Sequence, residues 1–332
     1  MFASHLDKKA QTATPDLIPS RNGYGEGLLE AGKRDKRVVA LSADLTESTR
    51  TLPFAEAFPE RFVQVGIAEQ NMAGVASGMA AMGKIPFMAS YAMFSPGRNW
   101  EQIRTTIAYN NSNVKIIGAH AGISVGPDGA THQAIEDLAI MRVIPNMVVI
   151  APCDVHEARK AELLATKYDG PVYIRVGRSE TPVVSTPESP FAIGQAEIFY
   201  TKNPDLPQSV GIISTGVLAY NALMAAVELE KNNIGAGVLH IATIKPLDGE
   251  ALGVFASAHD VLVTVEEHQI TGGLGGAVAE YLSEHQPKRI IRLGIKDMFG
   301  QSGEPNELLA HYGLDVASIV DAAKQAVSAH SD

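Results

Sequence analysis

One cysteine among 332 residues leaves no partner for a disulfide within the chain and suits a reducing cytoplasm. Cys153 stands in Ala-Pro-Cys-Asp behind an apolar run and reads as a packed, unreactive thiol. No run of about 18 apolar residues occurs, so no membrane-spanning helix is expected. The opening MFASHLDKKAQTATPD is polar and lacks the apolar centre of an export signal. Cations are in deficit: 27 Lys and Arg against 37 Asp and Glu leave a net charge of −10, which argues against nucleic acid as a partner. Two phosphate-binding fingerprints are missing too. No GxGxxG follows the first apolar segment, which disfavours a nicotinamide-dependent oxidoreductase, and Gly272 to Gly276 lacks the Lys-Ser/Thr of a P-loop and reads as a strand-to-helix turn.

What is present is an ordinary soluble composition, 45% apolar and 19% charged, in a chain long enough for two domains. Short apolar segments alternate with helical ones from Val38 to Val176 and again from Val210 to Ala326. That alternation predicts an α/β fold of two domains, each a mostly parallel sheet with helices on both faces. We expect an arm or loose tail over 1–18, a first domain over 19–180, a proline-rich connection over 181–207 and a smaller domain of about five strands over 208–330.

Gly66-Ile67-Ala68-Glu69-Gln70-Asn71-Met72 sets a carboxylate where a strand (62–65) gives way to a helix (71–82). Ligands of open α/β sheets bind at the carboxyl ends of strands. A carboxyl group there can share a proton with a ring nitrogen of a bound heterocycle; equally, Glu69 can be a helix-start acid favoured by the dipole. Residues 120 to 133, HAGISVGPDGATHQ, form a loop between an apolar strand and a helix predicted over 132–141. Gly122, Gly126 and Gly129 permit sharp turns and close approach to a ligand. His120, Asp128 and His132 converge there, but their spacing and single carboxylate fit a metal poorly. Tyr91 and Phe94 stand three apart, the spacing of core residues on a helix as well as of a ring-binding wall. Arg21 opens the first helix, Asp44, Leu45 and Ser48 follow the first strand, and Arg178 ends a later one. Guanidinium forks match phosphate geometry, although single arginines are common on surfaces.

Taken together these segments resemble the transketolases. GIAEQNMAGVASGMAAMGKIPF, residues 66–87, resembles the pyrimidine-binding domain of thiamine-diphosphate enzymes. The resemblance implies that Glu69 contacts the aminopyrimidine and promotes its imino form, that Phe94 stacks on that ring and that Tyr91 walls the pocket. Residues 120–133 resemble the pattern His-x-x-Ile-Gly-x-Gly-x-Asp-Gly-x-Thr-His-Gln. Ser124 replaces a glycine and Pro127 an acid. By this likeness His120 grips the sugar, Asp128 bonds a hydroxyl near the reacting carbon, and His132 recognises a hydroxyl or moves a proton. Deoxyxylulose-phosphate synthases usually carry Asp where His120 stands, so the histidine favours transketolase. Gly97 replaces an aromatic that some members carry. Ser-Ala-Asp-Leu-Thr-Glu-Ser at 42–48 is similar to the family's stretch whose Asp lies near the cofactor and whose last Ser touches phosphate. Arg21 and Arg178 match phosphate-holding arginines.

The likeness covers residues 19–330 and only the C-terminal half of a full-length member. The family's Gly-Asp-Gly motif and downstream Asn, which hold Mg²⁺ and the diphosphate, are not in this chain, so no metal ligand is assigned to it. The resemblance therefore implies the C-terminal subunit of a split transketolase, working with an N-terminal companion in an α2β2 assembly and moving a two-carbon ketol unit between sugar phosphates. Two rivals share the plan: the beta subunit of a 2-oxo acid dehydrogenase, which generally lacks the loop from His120 to His132, and a non-catalytic assembly subunit.

Overall fold

The computed structural model describes residues 1–331. The strands are β1 (Val38–Ser42), β2 (Phe62–Gln64), β3 (Ile85–Tyr91), β4 (Lys115–Ala119), β5 (Val148–Ile150), β6 (Val172–Arg175), β7 (Glu197–Tyr200), β8 (Ser209–Ser214), β9 (Gly235–His240), β10 (Thr243–Lys245), β11 (Val261–Gln269) and β12 (Ile290–Ile295). They form a seven-stranded sheet in the order β10-β5-β6-β4-β3-β1-β2 and a five-stranded sheet in the order β12-β11-β8-β9-β7. Both are parallel except at one edge each, where β10 runs against β5 and β7 against β9. Every residue of β1 and β4 is buried, as expected for parallel strands covered on both faces.

The helices are α1 (Ser20–Arg34), α2 (Leu52–Ala57), α3 (Glu69–Ala81), α4 (Trp100–Gln102, continuing as a π-turn over Ile103–Ala108), α5 (Asp137–Arg142), α6 (Val155–Lys167), α7 (Ala219–Lys231), α8 (Gly249–Ser257), α9 (Leu274–His285), α10 (Pro305–His311) and α11 (Val316–Ser331). Separate apolar clusters fill the two sides of each sheet. No helix among the described residues is long and apolar enough to cross a membrane.

Several local expectations are corrected. Residues 1–18 are no loose tail. Ala3 N donates to Phe199 O at 3.0 Å and Asp7 N to Val184 O at 2.9 Å, and Leu6 is buried in the second sheet's core, so the arm is fastened to β7 and to the connection. The connection at 181–207 contains β7, which gives the second sheet its antiparallel edge. The helix predicted from His132 begins only at Asp137. The backbone of residues 132–134 is spent on closing the preceding loop: Gln133 N donates to Gly129 O at 3.2 Å, and Ala134 O accepts from Gly122 N at 2.8 Å.

One glycine sets the placement of the first helix. A Cβ at Gly23 would lie 2.0 Å from Val155 O, so α1 and α6 approach closely only because the position is bare. Gly74 in α3 has nothing within 4 Å of its would-be Cβ. Opposite outcomes follow for the isolated chain in urea unfolding. Gly23→Ala is expected to cost about 1–3 kcal/mol through overpacking, whereas Gly74→Ala is expected to gain about 0.5–1 kcal/mol by removing backbone entropy from the unfolded state. A stabilised Gly23→Ala contradicts this packing.

Candidate active site

The loops after β1, β2, β3, β4 and β6 gather at the carboxyl edge of the first sheet, and the candidate site residues lie on them, at the end of β3 or at the starts of α1 and α3. After β2 the chain turns at Gly66, whose φ is +71°. Glu69 then opens α3 with only 1% of its surface exposed. Its Oε2 accepts from Arg98 Nη1 at 2.9 Å, and its carbonyl accepts from Asn99 Nδ2 at 3.0 Å. Arg98 is half exposed, and its guanidinium lies 5.2 Å from the centre of the Phe94 ring. Gln64 ties the next loop to this corner. Its Oε1 accepts from Asp44 N at 2.8 Å and Gly66 N at 3.3 Å, while its Nε2 donates to Thr46 Oγ1 at 3.1 Å. Asp44 itself is exposed with φ +61°, and Leu45 N donates to Ser42 Oγ at 3.3 Å. The structure thus brings Glu69, Phe94, Asp44 and Leu45 onto adjacent loops, and adds Arg98, Asn99 and Gln64.

A second group forms around His120, which follows β4 in the left-handed region at φ +53° and is buried. The Tyr91 ring stacks on it with centres 3.8 Å apart. Tyr91 and Phe94 are near parallel at 6.0 Å, so Tyr91 packs more closely on the histidine than on its expected pocket partner. Arg21 Nη1 lies 3.1 Å from His120 Nε2 and donates to Ser48 O at 2.8 Å. Burial first, then the charges of Arg21 and Arg178, push the His120 pKa down to about 3. The imidazole is therefore neutral, and because a guanidinium only donates, Nε2 accepts and Nδ1 carries the hydrogen. Nδ1 has no hydrogen-bond partner among the described residues. Arg178 Nη1 donates to Val125 O at 3.2 Å. Arg50, which carries no motif of its own, stands at φ +69°, donates from its Nε to Asn22 Oδ1 at 2.9 Å and adds to the positive field on Arg21 and His120.

His132 joins the two groups. Its ring meets Phe94 edge-on at 5.5 Å and Tyr91 at 6.2 Å, and Thr131 Oγ1 lies 2.9 Å from its Nδ1. Asp128 stands exposed near the loop's tip. The loop is two 3₁₀ turns over Ile123–Asp128 with a break at Gly126. Gln133 crosses beneath it, with Nε2 donating to Ile123 O and Gln301 O, both at 3.0 Å.

Elsewhere, Cys153, Glu157 and His240 place potential ligand atoms within 4.8 Å of one another. Glu157 Oε2 is engaged there by Cys153 N at 2.8 Å and His240 Nε2 at 3.0 Å, a buried link between the domains. Burial pushes the Cys153 thiol up, in keeping with an inert side chain.

The neutral His120 has a measurable consequence. The folded chain keeps this ring uncharged while the unfolded chain protonates it near pH 6.5. Its contribution to stability is complete above that value and is lost as pH falls toward about 3. The fall in urea midpoint from pH 7 to pH 4.5 is expected to be smaller in His120→Asn than in the natural chain; equal falls contradict a neutral, buried ring.

Residues 17–184 match the family model described as transketolase, pyrimidine binding domain, and residues 205–319 match transketolase, C-terminal domain. A transketolase C-terminal section from Methanocaldococcus jannaschii is 48% identical over 90% of this chain and 93% of its own length. A 6-deoxy-6-sulfo-D-fructose transketolase subunit from Clostridium sp. (strain MSTE9) is 40% identical over 92% of this chain and 93% of its own. Among solved structures, a split gene transketolase, determined as an inactive β4 tetramer, superposes with a TM-score of 0.84 at 44% identity, covering 94% of this chain and 98% of that one. Two matched domains that together take in most of the chain, with full-length relatives at this identity, establish that it belongs to the transketolase family.

Proposed function

We propose that the chain is the C-terminal subunit of a split transketolase and supplies one side of a shared thiamine-diphosphate site. The observation that carries this reading is the buried carboxylate of Glu69 at the β2–α3 corner, with the Phe94 ring nearby and the Arg21–His120–Arg178 group on neighbouring loops of one sheet edge. The members of this family depend on thiamine diphosphate. The residues fit its ring. Glu69 is an acid removed from water whose side chain is met by a half-exposed, movable guanidinium, and Phe94 offers an aromatic face worth on the order of 1 kcal/mol beyond burial. When bound, the coenzyme supplies the carbanion chemistry of ketol transfer.

The chain's own residues bind, orient and hold protons. Glu69 presents its carboxyl group to a ring nitrogen, and Arg98 donates to the same group. Phe94 and Tyr91 wall the ring side, while Asp44 and Leu45 close it from the β1 loop. His120 offers a single N–H from Nδ1 to a sugar oxygen. Asp128 and His132 recognise hydroxyls, with His132 the candidate for proton transfer. Arg21 and Arg178, with Ser48, take the anionic end of the sugar. A tetrahedral oxyanion suits their forks whether it is phosphate or the sulfonate named for the clostridial relative.

In this reading the companion subunit brings the Gly-Asp-Gly motif, Mg²⁺ and the diphosphate site, in an α2β2 complex that transfers a two-carbon ketol unit from a ketose phosphate to an aldose phosphate in the cytoplasm. The inactive β4 state of the split-gene relative supports the need for a second subunit. In the complex reconstituted with its companion, Glu69→Gln is expected to keep its fold and its assembly while losing about 10²–10⁴ of kcat, the share typical of a positioned acid–base group. Turnover within a few-fold of the natural complex refutes the role of Glu69.

A further inference from the structure

The second domain reaches into the first at the end of β11. Glu267 is 2% exposed, and its Oε1 accepts the backbone N–H of Ser124. Gly122 passes so close that a Cβ there would lie 2.4 Å from the carboxyl carbon of Glu267, and its φ of +88° favours glycine independently. The Glu267 carbonyl accepts from Arg175 Nη2 at 2.7 Å. Arg175 is itself fixed by Asp137 Oδ2 at 3.0 Å and spans to Ala134 O at 3.3 Å. One carboxylate of the other domain thus holds the Ser124 end of the Gly122–Ser124 turn and lies against its Gly122 end.

That turn begins two residues after His120. A histidine at φ +53° sits in a sparsely populated region. Such a conformation persists only where the surroundings over-determine it. Tyr91 restrains the ring by stacking and Arg21 by a hydrogen bond. The chain on the carboxyl side of His120 is restrained by the Glu267 grip and by the bond from Gly122 N to Ala134 O. Ser124, which departs from the glycine expected in this family, gives its backbone N–H to Glu267, and its carbonyl accepts from Ser179 Oγ at 2.6 Å.

We propose that Glu267 is a positioning residue for the sugar, by which the second domain fixes the loop that carries His120. The proposal rests on the transketolase reading for its substrate, and its geometry is independent of it. Glu267 touches neither sugar nor coenzyme; it acts through the turn.

In the reconstituted complex, Glu267→Ala is expected to raise the KM for sugar about 10- to 100-fold, the penalty of a misplaced binding group, with coenzyme affinity unchanged within about twofold. Glu267→Gln keeps an acceptor oxygen for Ser124 N–H and is expected to return the KM to within about threefold of the natural value. Leu252→Ala, a cavity in the second domain's own core, is expected to lower stability without moving the sugar KM. In the isolated chain, the His120 ring resonance is expected to shift in Glu267→Ala and to stay in place in Leu252→Ala. An unchanged sugar KM, an equal rise in Leu252→Ala, or an unmoved His120 resonance overturns the proposal. A natural complex without ketol transfer instead refutes the functional reading, and the resonance still decides whether Glu267 positions His120.

Discussion

A carboxylate taken out of water must be answered, because removing one partner of a buried ion pair costs several kcal/mol. The Glu69 carboxylate is answered by Arg98, while its backbone carbonyl accepts from Asn99 Nδ2. The arrangement of the β3 loop follows from that need. Phe94 and Arg98 lie four apart on it, so the same turn presents a ring and the cation that meets Glu69. An acid held this way by a half-exposed guanidinium is buried yet exchangeable, which a fully internal ion pair such as Asp137–Arg175 is not.

The two domains divide the work along this edge. The first sheet supplies every side chain proposed to meet coenzyme or sugar. The second supplies restraint: successive residues Glu266, Glu267, His268 and Gln269 at the end of β11 point to different targets. Glu266 accepts the Leu274 and Gly275 amides at the start of α9, Glu267 grips the Gly122 turn, His268 receives Ala139 N, and Gln269 N bonds Ile135 O. Burial pushes the Glu266 carboxyl up to about 7 despite its two amide donors. Left-handed residues at Asp44, Arg50 and His120 show that the edge stores backbone strain, and strain of this kind needs rigid support from outside the loop.

Much of this was legible in the sequence, for a physical reason. Strands buried on both faces read as short unbroken apolar runs, so β1, β4 and β8 could be placed by inspection. The Glu69 corner and the glycines at 122, 126 and 129 were visible because turns of positive φ demand particular residues. Elements without a periodic signature were not placed: β7 within the proline-rich connection, β10, which crosses from the range expected for the second domain to the edge of the first sheet, β12, and the short helices α2, α8 and α10. The helix drawn from His132 failed because its first three residues bond to their own loop and Ile135 O accepts from Gln269 N of the second domain, a tertiary demand that no local propensity reveals. Arg98, Gln64 and Glu267 escaped for the same reason, each being an ordinary polar residue until a distant segment arrives beside it.

We propose that this chain holds half of a coenzyme site. The decisive experiment is calorimetric titration of thiamine diphosphate with Mg²⁺ into the chain alone, the companion alone and their equimolar mixture. Tight, saturable binding accompanied by ketol transfer is expected only in the mixture. Full binding and turnover by the chain alone would overturn the proposal.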